Sequence, residues 1–68
     1  MKNKLYYLFI TQKKYFEKLQ FIYQFEYVWN DAYGAGYAAT ISLTPQEVNA
    51  LKATLAGSHF QLYKFKNH

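Results

Sequence analysis

Residues 19–29, LQFIYQFEYVW, decide how this chain folds. Leu19, Phe21, Tyr23, Phe25, Tyr27 and Trp29 share one parity, and Lys18, Gln20, Gln24 and Glu26 share the other, interrupted by Ile22 and Val28. Side chains alternating at period two define a strand, because successive residues point to opposite faces of the pleat. A helix also fits, since Leu5, Leu8, Phe9, Tyr15, Phe16, Leu19, Ile22 and Tyr23 fall at helical spacings with no Gly or Pro between them. Aromatic residues favour strands and no N-cap signature opens a helix here. The sequence therefore predicts a strand over 19–29, with a long helix over 5–28 as the alternative.

Upstream, residues 5–11 (LYYLFIT) form a compact apolar run that predicts a first strand, closed by Gln12, Lys13 and Lys14 as a polar turn. Downstream, residues 30–36 (NDAYGAG) concentrate turn formers and predict a loop with Tyr33 at its exposed tip. Alternation returns in residues 37–43 (YAATISL), a third strand whose small residues admit close approach by another element. Residues 44–47 (TPQE) then carry a full helix start. Thr44 suits the N-cap, Pro45 the first helical position, and Glu47 can return a hydrogen bond to the cap, while Leu43 and Val48 fit a hydrophobic staple. The helix should run through Ala56 with Val48, Leu51 and Leu55 on one stripe, ended by Gly57 in the left-handed region. Residues 60–66 (FQLYKFK) predict a last strand with apolar groups on both faces. The expected fold is α+β, one domain over residues 1–68, with a four-stranded mainly antiparallel sheet and one helix in the order β-β-β-α-β.

At 68 residues the chain is too short for a second domain, and a domain of this size buries only about 60% of its unfolded surface. Half of its residues are hydrophobic and 22% aromatic, far from the composition of disordered chains. There is no cysteine, which excludes disulfides, a thiol nucleophile and thiolate zinc sites. The apolar run after Lys4 spans residues 5–10, shorter than the roughly 7–15 residues of a signal core or the about 20 of a membrane span. A cytoplasmic protein that does not engage membranes is expected.

One helix cannot cover every aromatic group that four strands would carry. Part of the second sheet face is therefore expected to be a binding surface, with Tyr6, Tyr33 and Tyr63 as candidates because tyrosine hydroxyls prefer water or a partner. The charged residues are eight Lys, three Glu and one Asp without arginine, a net charge of +4. Lysine lacks the planar fork that reads guanine edges, which argues against sequence-specific duplex recognition. Seven lysines, Lys2, Lys4, Lys13, Lys14, Lys18, Lys64 and Lys66, lie toward the chain ends, and if the first and last strands are neighbours they would form one basic edge.

Catalytic inventory is thin. Ser58 or Ser42 with His59 and Asp31 can be written as a triad, and Glu17 with Glu26 as an acid–base pair, but a helix-to-strand turn and solvated charge explain these residues as well. His59 and His68 have no ligand spacing for a metal, and Gly34-Ala35-Gly36 leads into a strand rather than a helix, unlike a phosphate loop. No enzyme, metal or cofactor is expected. The expected function is a small non-catalytic binder that uses an aromatic sheet surface and a lysine edge on a protein partner. In size and lack of motifs it has the general character of phage or mobile-element inhibitors of host defence complexes, such as anti-CRISPR proteins, an analogy of character alone. The alternatives are a single-stranded nucleic-acid binder and a self-assembling subunit, with a homo-oligomer compatible with each.

Overall fold

In a computed structural model, which describes residues 2–65, the first strand becomes the centre of the sheet. The elements run β1 (Lys4–Ile10), α1 (Lys13–Leu19), β2 (Glu26–Asn30), β3 (Gly34–Leu43), α2 (Pro45–Leu55) and β4 (Phe60–Lys64). The strands lie in the order β2-β3-β1-β4, and every neighbouring pair is antiparallel. Consequently β1 and β2 run parallel with β3 between them, and β3 and β4 run parallel with β1 between them. This is the ferredoxin-like connectivity, in which two β-α-β units interleave their strands.

The second helix forms as its sequence specifies. Thr44 Oγ1 accepts from the Glu47 backbone N–H at 3.2 Å, and Glu47 Oε1 accepts from the Thr44 N–H at 2.8 Å, closing the capping box. Gly57 takes a left-handed φ of +88° after the helix end, where a side chain would be strained. Val48, Leu51 and Leu55 turn inward onto Leu8 and Ile10 of β1 and Ala39, Ile41 and Leu43 of β3, and Leu19 of α1 completes this core. Full burial of Leu8, Ile10, Leu43 and Leu55 stabilises the fold by about 1.5–3 kcal/mol for each side chain.

The α+β class and the four antiparallel strands agree with expectation, whereas the single helix and the order β-β-β-α-β do not. Residues 12–25 account for the difference. Lys13 and Lys14 begin α1 instead of lying in a turn, and the expected strand over 19–29 shrinks to β2. Tertiary packing overrides the alternation. Phe16 stacks on Tyr37 of β3 with ring centroids 4.2 Å apart and meets Phe25 edge-on at 5.7 Å. Leu19 is buried as the last helical residue, and its carbonyl accepts from the N–H groups of Ile22 and Tyr23, which turns the chain out of α1. Phe21, placed by parity on the apolar side of a strand, is instead 86% exposed.

The loop expected over 30–36 is tighter than predicted. Asn30 Oδ1 accepts from the Ala32 and Tyr33 N–H groups at 2.8 and 3.0 Å, and β3 resumes at Gly34, whose φ is +83°. The last strand ends at Lys64, and the Phe65 N–H donates to the Leu5 carbonyl at 3.0 Å. The expected strand residue Lys66 lies outside the described residues, as does His68.

Candidate functional site

Residues directly opposite in an antiparallel pair project from the same face, so register sorts the side chains of the sheet. Tyr6, Leu8 and Ile10 of β1 share a face with Tyr37, Ala39, Ile41 and Leu43 of β3. That face holds the core, and both helices pack on it. The other face takes Leu5, Tyr7 and Phe9 of β1, Gln61 and Tyr63 of β4, Glu26 and Val28 of β2, and the small residues of β3 from Gly36 to Ser42. Neither helix covers it.

Tyr7 and Tyr63 stand opposite each other on this open face, toward the β4 edge, their rings near-parallel at 14° and 6.5 Å between centroids. One step along, Phe9 stands opposite Gln61. Although it points away from the helices, Phe9 is only 1% exposed. Tyr33, held in the turn by Asn30, brings its ring to 6.4 Å from that of Phe9. Gly36 lies beneath. A Cβ there would come within 2.5 Å of Phe9 Cζ and 2.6 Å of the Ile10 carbonyl oxygen, so the Phe9 ring requires glycine at this position. Phe9, Thr11, Tyr33, His59, Phe60 and Gln61 line a shallow pocket beside the tyrosine pair.

The structure divides the residues singled out from sequence. Tyr33 and Tyr63 are exposed on or beside the open face, at 49% and 53%. Tyr6 is turned to the helical side and packs against the core, so it does not share the open face with Tyr63. Its neighbour Tyr7 occupies the open face instead. Tyr7 and Phe9 were not singled out from sequence, although apolar groups at both parities of residues 5–10 fit a strand flanked on both sides.

Strands β1 and β4 are neighbours, and among the described residues the expected lysine edge forms only in part, with Lys4 and Lys64 on one face at the start of β1. Lys64 stands opposite Tyr6 near the start of β1, whereas Lys13 and Lys14 follow its far end. Lys14 and Lys18 lie beside the Tyr15 ring on α1, at 5.2 and 5.8 Å from its centroid, in the helical layer. Antiparallel pairing is the cause, because it sets the end of β4 against the beginning of β1. Among the described strand residues, Glu26 is the single charged side chain on the open face.

The Ser58 hydroxyl donates to the Leu55 carbonyl at 2.7 Å at the end of α2, and Asp31 lies exposed in the turn after β2. Among the described residues, no group of three or more His, Asp or Glu side chains is placed to hold a metal ion, and no helix is long and apolar enough to cross a membrane. On the helical side, burial and then the Glu47 carboxylate raise the Tyr23 phenol above its ordinary value of 10.0. Compared with known proteins, the chain matches no family model, no curated sequence and no solved structure.

Proposed function

We propose that this chain is a non-catalytic binding protein that takes a protein partner on the open face of its sheet. One observation carries the proposal: a helix-free face presents the stacked Tyr7 and Tyr63, with Tyr33 against Phe9 beside them and, among the described strand residues, Glu26 as its single charge. Tyrosine supplies large, rigid contact area at low entropic cost, and such residues concentrate binding energy at the centres of protein interfaces. A single-stranded nucleic-acid platform combines stacked aromatics with a basic groove that follows the phosphates. Here the aromatic platform and the lysines of α1 occupy opposite sides of the sheet, so the arrangement favours an uncharged protein surface. A stoichiometric inhibitor is the narrower form of the same proposal, since occupation of a partner's surface by a small rigid sheet needs no catalytic group.

The test is a pull-down with the tagged chain, washed with nuclease and with moderate salt, in parallel for Tyr33→Ser/Tyr63→Ser and for Lys13→Ala/Lys14→Ala/Lys64→Ala. The expected result is a discrete protein retained through both washes. It should be lost with the tyrosine variant, by about 30-fold or more for hot-spot residues, and kept with the lysine variant. Retention of nucleic acid alone, released by salt and by the lysine variant, would overturn the proposal in favour of single-strand binding.

A further inference from the structure

We infer that two copies of this chain join edge to edge through β2 into one continuous eight-stranded sheet, a contact independent of the open face. The four-stranded sheet ends in two edge strands, β2 and β4. Soluble proteins guard edge strands with lysine, proline, bulges or inward charges, because unpaired backbone groups there template pairing with another chain. On β4 the edge carries Lys64. On β2 it reads Glu26, Tyr27, Val28, Trp29 and Asn30, with Glu26 as its one charge at the end of the strand, no lysine or proline, and an unbroken register against β3. Its two aromatic residues are also the poorly covered ones, Tyr27 at 70% exposure and Trp29 at 73%.

The strand is complementary to itself. A two-fold axis at Val28 pairs Val28 with Val28 of the second copy, as an isologous contact requires. Tyr27 of each copy then stands opposite Trp29 of the other, giving two cross-strand aromatic pairs on one face, and Glu26 stands opposite Asn30. No like charges meet. Aromatic pairs of this kind contribute beyond their buried area.

The contact is small. Tyr27 and Trp29, 70% and 73% exposed, together offer roughly 300 Å² per copy for the pairing to cover, about 600 Å² across a dimer. Pairing of the strand backbones adds to this, and the total lies at the low end of specific interfaces, where weak, concentration-dependent association is expected.

Light scattering and sedimentation across a concentration series should show a monomer of 8.1 kDa giving way to twice that mass. Tyr27→Lys/Trp29→Lys supplies the missing guard on exposed positions and should weaken the dimer at least tenfold with an unchanged far-ultraviolet circular dichroism spectrum. The chain has no native cysteine, so Val28→Cys introduces a single thiol at the two-fold axis. Facing residues of an antiparallel pair have the Cα separation a disulfide needs, and mild oxidation should cross-link this variant into dimers while Tyr63→Cys on the other edge stays monomeric. A mass of one chain at every concentration would overturn the inference. So would a dimer indifferent to the lysine variant, or one that cross-links through Tyr63→Cys and not through Val28→Cys.

Discussion

The two halves of the molecule, β1-α1-β2 and β3-α2-β4, share a connectivity and differ in what holds their helices. α2 has eleven residues, a closed capping box and three buried aliphatic side chains. α1 has seven residues, no side-chain bond at its Gln12 cap, no acidic group in its first turn and one buried residue, Leu19. Instead it leans on aromatic contacts, with Phe16 against Tyr37 and Phe25. Seven residues are too few for a helix to persist in water alone. The comparison teaches that one half carries its own local instructions, and the other acquires its helix only when β3 offers a surface.

The largest effect is expected at the aliphatic side of this contrast. Leu55→Ala, at a fully buried site, should cost about 3 kcal/mol by removing packing and leaving a cavity. That is comparable with the roughly 3–5 kcal/mol a core of this size supplies. Urea titration followed by circular dichroism should find the variant largely unfolded, and a midpoint near wild type would break the comparison. Phe16→Ala should cost about 2 kcal/mol, and hydrogen exchange should show the loss concentrated in α1 while amides of α2 keep their relative order of protection. Equal loss of protection in both helices would show that the halves are not separable.

Smaller effects sharpen the contrast. Thr44→Ala removes a closed cap and should cost about 1 kcal/mol in urea denaturation. Gln12→Asp, at an exposed position with no cap bond, should stabilise by about 0.5–1 kcal/mol through the missing cap and the helix dipole. If both substitutions were neutral, local capping would not distinguish the helices. The smallest effect is in alkali. Burial and Glu47 raise the Tyr23 phenol above 10.0, so the fold prefers the neutral form. Its contribution is complete below pH 10 and is lost as pH rises through the raised value. Thermal melts should therefore lose stability above pH 10, and Tyr23→Phe should flatten that decline.

The open face was half legible in the sequence. A surplus of aromatics over what one helix can cover pointed to an open sheet face, and Tyr33 and Tyr63 were named for it. Tyr6 was named, whereas Tyr7 lies on the open face, because residues 5–10 are apolar at both parities and their pattern alone assigns neither parity to the helices. The lysine edge was inferred from closeness to the chain ends, which antiparallel pairing converts into separation. Gly36 looked like a loop hinge and proved to be the place where the Phe9 ring crosses the sheet.

Local chemistry determined what it could reach. Thr44, Pro45, Glu47 and Gly57 fix α2 through hydrogen bonds and backbone angles within a few residues of one another, and the alternation of residues 37–43 fixes which side chains of β3 face inward. Residues 12–25 carry a pattern compatible with both periods, and the choice between helix and strand depends on Tyr37, more than ten residues away. The strand order, the face left open and the unguarded edge at β2 followed from pairings between distant segments, whose free energy is gained only when the whole sheet assembles.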